Sequence, residues 1–308
     1  MIVYKSRDWW EAIRHFHTTQ TIRTLLGRVL LVGAYVTVVA VAEFQYLNFA
    51  FKVEREYFSF LGILLSLLLV FRTNTAYDRF YEGRILWGQL INHSRNLAVM
   101  LNAMLPEDDR NNRRYYAKVI SNFAIALEGH LREGVAFDKL EAMSPDETQQ
   151  LRDAEHVPLG LANLLQEGFE KLQREKVLIP VHLLTLKPHH QALLEIAGSC
   201  ERIQKTPIPF SYSFFIKLFL TVFILLIPFV LLDSYGYFVV PMTMFGAYAL
   251  LGVEMIGDEI EEPFGKEGNH LPLTQMSNVI RANVHDALGV RLPDYKKALA
   301  DVPYSVVY

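Results

Sequence analysis

The sequence predicts an all-α, multi-pass membrane protein with four transmembrane helices and a large helical region outside the membrane. Hydrophobic residues make up 51% of the 308 residues and charged residues 20%, which suits a chain that is partly in lipid and partly in water. Long uncharged segments occur before residue 72 and again after residue 209. Between them, apolar residues recur at the three- and four-residue spacing typical of amphipathic helices, and no strand pattern is convincing.

Four segments are apolar enough to be candidates for crossing a membrane: residues 29–51, 58–71, 210–232 and 237–253. The first reaches about 20 residues, the length that a spanning helix needs. The second has only 14 uncharged residues, or roughly 21 Å of helix. A helix shielded by its neighbours need not meet the length of a lipid-facing one. The second segment therefore suits the lining of a water path better than a lipid anchor.

The predicted topology places both ends of the chain in the cytoplasm. Four crossings bring the ends to one side, and Lys and Arg are in excess on that side, before residue 29 and from residue 72 onward. No secretory signal pattern is found. The expected segments are an interfacial helix at 1–28, spans one and two at 29–71, a cytoplasmic helical domain at 72–209, spans three and four at 210–253, and a cytoplasmic C-terminal segment with a helix at 254–308.

The region 72–209 has the composition of a soluble helical domain. Ser144 is a good helix start, because a cap residue is followed by Pro145 and two acids at the positive end of the helix dipole. Pro188 is expected to break any helix around it, and residues 177–184 suit a buried connector or a helix start. The expected helices are 72–104, 108–133, 144–153, 158–175 and 187–204.

Ile63, Leu67 and Phe71 share one face of the helix expected at 58–71, because residues four apart lie above one another. The same line continues into polar residues at both ends, toward Glu56 and toward Asp78. Such a stripe suits a helix that lines a water path with a hydrophobic constriction in its middle. The alternative is an ordinary helix in a protein core, where leucine-rich stripes are usual.

Two further groups of residues could bind a metal ion, and for each we favour a plainer interpretation. The acidic run at 254–262 offers oxygens to a hard cation, but it lacks the spacing of a calcium loop and suits a solvated helix end. His182, His189 and His190 lie near Glu195 in the sequence. They lack the His-Glu-x-x-His spacing of a zinc helix, and we expect exposed loop histidines. No metal or other cofactor is therefore expected.

Enzymes and nucleic-acid-binding proteins are disfavoured. No nucleophile elbow, phosphate-binding loop or dinucleotide fingerprint is present. The net charge is −3, and no basic run is long enough to follow phosphates. The single cysteine, Cys200, excludes an intrachain disulfide and a cysteine-built metal site within one chain.

Three motifs occur in the chain in a fixed order. They are Phe58-Ser59-Phe60-Leu61-Gly62 leading to Phe71-Arg72 and Tyr77-x-Arg79-Phe80-x-Glu82-x-Arg84-x-x-Trp87-Gly88; Cys200-Glu201-Arg202-Ile203-x-x-Thr206-Pro207-Ile208-Pro209-Phe210-x-Tyr212; and Glu261-Glu262-Pro263-Phe264-Gly265. Together they resemble the bacterial branch of the bestrophin family. The resemblance runs from the first residues to about Gly289.

The resemblance implies a homopentameric ion channel in the inner membrane of a bacterium, with one pore on the symmetry axis. It implies that the second spanning helix lines the pore and that Ile63, Leu67 and Phe71 form three apolar rings in its neck. A second constriction in the cytoplasmic part matches Ile179, just before Pro180. The expected partners are membrane lipid, further copies of the chain and the permeating monovalent ions.

The resemblance leaves anion and cation conduction open. Family members are mostly anion (chloride) channels, and bacterial relatives include cation-conducting ones. Glu56 and Asp78, near the ends of the neck, favour cations if they face the axis. Animal bestrophins follow Pro-Phe-Gly with a run of acids that binds calcium, whereas residues 266–270 of this chain read Lys-Glu-Gly-Asn-His. Calcium gating is therefore not expected.

The rival hypothesis is a membrane-anchored helical scaffold or sensor that conducts no ions. A scaffold has no use for polar residues that continue an apolar line at both ends, so the channel is preferred. A secondary transporter has less support, since neither an inverted repeat nor a pair of broken helices is evident.

Overall fold

The structure, a computed structural model, describes residues 20–47 and 54–292. Within these residues it is helical and has no β-strand, which confirms the predicted all-α class. The interfacial helix expected at the start of the chain lies mostly outside the described residues. The helices are α1 (Gln20–Ala42), α2 (Arg55–Met104), α3 (Arg110–His130), α4 (Pro145–Asp153), α5 (Val157–Arg174), α6 (Pro180–Lys205), α7 (Phe210–Tyr235), α8 (Val239–Glu261) and α9 (Leu273–Ala287).

Three stretches are long and apolar enough to cross a membrane: Thr21–Tyr46, Arg55–Met104 and Phe210–Glu261. The third contains two helices, α7 and α8, joined by the 3₁₀ turn Gly236–Phe238. Gly236 has a φ of 52°, a left-handed conformation that glycine adopts without the penalty of a Cβ atom. The turn allows α7 and α8 to pack against each other.

The chain forms two compact units that share α2. Among the described residues, the apolar unit comprises those up to Phe80 together with Pro207–Pro263, and the polar unit comprises Tyr81–Thr206 and those from Phe264 onward. In the apolar unit, α8 packs against both α1 and α7. Its main core cluster consists of aliphatic side chains from α2, α7 and α8: Leu65, Leu69, Ile216, Leu220, Ile224, Ile227 and Ala247.

The polar unit is built around α3, which packs against α5 and α9, and α6 packs on α5. Tyr116, Ile120, Phe123 and Leu127 lie at alternating four- and three-residue spacing along α3 and are all buried. This spacing keeps them on one stripe of the helix. The amphipathic pattern of the sequence therefore accounts for the core of this unit.

The apolar segment at 58–71 and the helix predicted at 72–104 are one element. α2 runs without a break over 50 residues, or about 75 Å at 1.5 Å per residue. Its first part belongs to the apolar unit and its second part to the polar unit. The change of composition at Arg72 is thus a change of surroundings along one helix.

The predicted start of the helix at 187–204 was wrong. α6 begins at Pro180, which occupies the first turn, where a missing backbone N–H costs little. Pro188 lies inside α6 and does not end it. Pro188 is exposed, so its ring meets solvent and the helix accommodates it there. A proline inside a helix is tolerated when the helix is held by packing along its other face, and that packing cannot be read from local sequence.

The predicted helix start at Ser144 is confirmed as a capping box. Ser144 Oγ accepts a hydrogen bond from the Glu147 amide at 3.3 Å, and Glu147 Oε2 accepts one from the Ser144 amide at 3.0 Å. Pro145 follows at the first helical position. Both bonds satisfy amide groups that the first turn of a helix cannot satisfy by itself.

Replacing Ser144 by Ala is expected to destabilise α4 by about 1 kcal/mol, because the Glu147 amide loses its acceptor. Ser144→Asp keeps an acceptor at the same place and serves as the control. Hydrogen exchange of the α4 backbone amides measures the effect. Equal protection in the Ala and Asp variants would contradict a stabilising role of the cap.

Candidate functional site

The stripe formed by Ile63, Leu67 and Phe71 lies on an exposed face of α2. The exposed fractions are 70%, 49% and 55%, respectively. An ordinary core helix would bury these residues, so the core alternative does not hold for this single chain. Phe60 lies on the same side and is 61% exposed. The apolar unit thus presents large apolar side chains that its own packing does not cover.

The opposite face of α2 is packed. Leu65, Leu69, Arg72 and Ala76 are each at most 3% exposed. With about 100° of rotation per residue, these four residues point in a direction roughly opposite to that of the stripe. Their contacts with the rest of the apolar unit determine which side of α2 faces outward.

Polar residues continue the stripe at both ends, as predicted from the sequence. Glu56 lies seven residues before Ile63 and Asp78 seven residues after Phe71, and both are exposed. Seven residues are close to two full turns of an α-helix, so both carboxylates lie on the same side of α2 as the stripe. The exposed face is therefore acidic, then apolar over about two turns, and acidic again.

An ionic cluster with a buried centre lies at the level where the stripe ends. Its members are Arg72, Lys217, Glu254, Asp258 and Glu261, and we refer to it as the Arg72 cluster. Arg72 lies 3.3 Å from Glu254 and 3.6 Å from Glu261, and it also contacts Asp258. Lys217 lies 2.7 Å from Asp258 and 3.5 Å from Glu254.

The Arg72 cluster joins α2, α7 and α8 through charged groups. Arg72 and Glu254 have side chains that are 1% and 3% exposed. Charges taken out of water to this extent are tolerated only when each is paired and hydrogen-bonded. Arg72 also donates to Ser213 Oγ at 3.2 Å, and Glu261 Oε1 accepts from the Ile208 amide at 3.0 Å. The cluster therefore holds the packed side of α2 in one orientation.

The prediction that the acids at 254–262 form a solvated helix end was wrong, because Glu254 and Glu259 are buried. Glu254, Asp258 and Glu261 follow one another at four- and three-residue spacing, so they share one face of α8. Three acids on one face of α8 and a single arginine at the end of an uncharged segment indicate a buried ionic cluster. The sequence analysis did not use this signal.

The comparisons with known proteins agree with this architecture. The chain matches the family model described as the bacterial and fungal bestrophin protein over residues 1–286. This chain belongs to the bestrophin family. The resemblance inferred from the three motifs is confirmed.

Relatives of this bestrophin include proteins named as voltage-dependent anion channel-forming proteins. One from Nostoc sp. is 36% identical over 229 residues, which cover 73% of this chain and 75% of the relative. One from Ralstonia nicotianae is 32% identical over 292 residues, covering 94% and 95%. A crystal structure of a bacterial bestrophin homologue from Klebsiella pneumoniae matches with a TM-score of 0.82 and 26% identity, covering 87% of this chain and 99% of that chain.

Ile179 lies in the polar unit of this bestrophin, at the N-cap of α6, and is 52% exposed. The nearby side chains of Val181 and Leu184 are 60% and 68% exposed. The start of α6 thus presents apolar side chains that the single chain leaves uncovered. No contact of Ile179 within the described residues assigns it a role, and its place at a second constriction stays a prediction.

The prediction of exposed loop histidines near Pro188 was wrong, because all three lie on α6. His190 is buried, and its Nε2 atom lies 2.9 Å from the Ala162 carbonyl oxygen. His189 Nδ1 lies 2.9 Å from His93 Nδ1. Burial and the neighbouring His93 lower the pKa of His189. These histidines are side chains of a helix that continues through a proline.

Replacing Arg72 by Met is expected to lower the free energy of opening of α8 by about 3–5 kcal/mol, because Glu254 stays buried without its closest cation. Lys217→Met is the matched control. Its side chain is 48% exposed, and its shortest ion pair is with Asp258, which is 38% exposed. Exposed ion pairs of this kind contribute at most about 1 kcal/mol. Hydrogen exchange of the α8 amides in detergent measures both effects. An equal decrease of the free energy of opening in the two variants would contradict the conclusion that Arg72 stabilises α8 more than Lys217 does.

Proposed function

We propose that this bestrophin forms a pentameric ion channel in a bacterial inner membrane and passes small monovalent ions without a chemical step. The observation that carries the proposal is the exposed apolar stripe of α2, which lies opposite the packed face and has an acid at each end. The relatives named as voltage-dependent anion channel-forming proteins support a channel. Anions such as chloride are accordingly the first candidates for the permeating ion.

Five copies of α2 around one axis explain why the stripe is left uncovered in a single chain. Ile63, Leu67 and Phe71 each contribute one ring to the proposed pore. Successive rings are separated by four residues, or about 6 Å along the helix, and the whole neck is about 12 Å long. A narrow apolar neck of this kind loses its water column and stops ions until it widens. The three rings are therefore the proposed gate.

The proposed membrane region consists of residues 29–71 and 210–253, which contain most of α1, the first part of α2, α7 and most of α8. These helices supply four crossings, with both ends of the chain and residues 72–209 on the cytoplasmic side. The short uncharged part of α2 fits this arrangement, because a helix on the axis is shielded from lipid by its neighbours. Ile179 is the proposed second constriction on the cytoplasmic side.

Replacing Ile63, Leu67 and Phe71 together by Ala is expected to raise single-channel conductance several-fold, since smaller rings let a continuous water column form. Leu30→Ala is the control, because Leu30 is an apolar side chain of α1 that is 65% exposed. Recordings of the purified protein in planar bilayers measure the currents. Unchanged or smaller currents in the triple variant would exclude these residues as the gate, and no ion flux from the wild type in liposomes would favour the scaffold hypothesis.

Cation conduction is the second candidate, because the stripe carries an exposed carboxylate near each end. Five copies of Glu56 and of Asp78 would form two acidic rings at the entrances of the neck. Rings of acids raise the local concentration of cations and lower that of anions. If these acidic rings control selectivity, the channel selects cations. If they do not, it conducts anions, as the names of its relatives indicate.

Glu56→Gln together with Asp78→Asn is expected to shift the reversal potential by tens of millivolts toward the anion equilibrium potential in a tenfold KCl gradient, whose limits are about ±59 mV. The shift follows from the loss of both acidic rings. Glu54→Gln is the control, because Glu54 is also exposed but precedes the first residue of α2 and is not part of the stripe. An equal shift in the control would show that general surface charge, and not the pore mouths, sets selectivity.

A further inference from the structure

Two histidines and a glutamate from three different helices meet within the polar unit. His130 is the last residue of α3, His156 is the N-cap of α5, and Glu201 lies in the last turns of α6. One potential ligand atom from each residue lies within 4.8 Å of the other two. We propose that His130, His156 and Glu201 form a binding site for Zn²⁺.

The distances between the ligand atoms suit a small tetrahedral ion. Glu201 Oε1 lies 2.5 Å from His156 Nε2 and 3.3 Å from His130 Nε2. The two imidazole rings have centroids 4.4 Å apart. In a tetrahedral zinc site with bonds of about 2.0–2.1 Å, neighbouring ligand atoms are about 3.3 Å apart. A shift of less than about 1 Å at His156 would therefore open the site to the ion.

The chemistry of the ligands selects zinc over harder cations. Two imidazole nitrogens and one carboxylate oxygen match a zinc site with three protein ligands, whereas Ca²⁺ takes six to eight oxygens. Lys205 Nζ lies 3.2 Å from Glu201 Oε2, so the other oxygen, Oε1, is left for the metal. The side chains of His130, His156 and Glu201 are 22%, 31% and 17% exposed. Solvent can thus supply the fourth ligand.

The helices place the ligands without help from the ion. Gln204 Nε2 on α6 donates to the carbonyl oxygen of Leu131, directly after His130, at 2.8 Å. This bond ties the end of α3 to the end of α6. The carboxyl-terminal ends of these two helices carry partial negative charge, which favours a cation, while the amino-terminal end of α5 opposes it.

The hydrogen bonds of His156 show what zinc would change. His156 Nδ1 accepts a bond from the Leu159 amide at 3.1 Å, so the ring proton is on Nε2, which faces Glu201. Zinc bound at Nε2 takes the place of this proton, and the neutral ring then carries its proton on Nδ1. The Leu159 amide loses its acceptor as a result. Zinc binding therefore loosens the first turn of α5.

Calorimetric titration of zinc into the purified full-length protein in detergent, after treatment with a chelator, tests the proposal. We expect one zinc ion per chain, and at least tenfold weaker binding in His130→Asn and in Glu201→Gln. His189→Asn is the control, because it removes a histidine of α6 that lies in the other histidine pair of the unit. Circular dichroism and gel filtration show whether each variant is folded.

A measurement on the unaltered protein decides the matter even if a variant fails to fold. Zinc is expected to speed hydrogen exchange at the Leu159 amide. No zinc bound by the wild type, equal affinity in the folded ligand variants, or a loss of binding in His189→Asn would each overturn the proposal. Unchanged exchange at Leu159 in the zinc-bound protein would overturn the assignment of His156. None of these readouts depends on ion flux, so the channel proposal stands or falls separately.

Discussion

The orientation of α2, with its apolar stripe facing outward, depends on the burial of Arg72 among acids. Arg72 is 1% exposed, whereas Phe71, the residue before it, is 55% exposed. A buried guanidinium group that lost its carboxylates would carry a large desolvation penalty. Rotation of α2 that exposed its packed face would separate Arg72 from Glu254 and would bury the stripe. The ionic cluster and the aliphatic core around Leu65 thus act together to keep the stripe outward.

The different surroundings of the two faces of α2 explain the unusual composition of the second apolar segment. One face of α2 contributes to an aliphatic core and ends at a charged cluster, while the other face carries apolar residues between two acids. The helix therefore has no single hydrophobic side. A long helix with apolar residues on both faces needs two different partners. The apolar unit supplies one partner, and in the proposed pentamer the pore axis supplies the other environment.

Much of the fold and of the candidate site could be predicted from local pattern. The spacing of Ile63, Leu67 and Phe71 placed them on one face, and Ser144 with Pro145 predicted a helix start, because both depend on residues within two turns. The errors concern groups whose environment is set by distant residues. Glu254 was assigned to solvent because its partner, Arg72, lies 182 positions earlier in the chain. Pro188 was expected to end a helix that tertiary packing maintains.

The periodicity and the apolar content of the sequence were enough to determine that the chain is helical and has segments able to enter a membrane. They also determined that one helix carries an apolar line with polar ends. Side-chain repetition along a helix is a local property, so no tertiary information is needed for it. Only the tertiary structure decided which face of α2 is covered, where the charges of α8 find partners, and that His130, His156 and Glu201 meet. The last three residues come from different helices, and Glu201 lies 45 positions after His156. Chain folding alone brings such groups together, because no local spacing encodes a contact between separate helices.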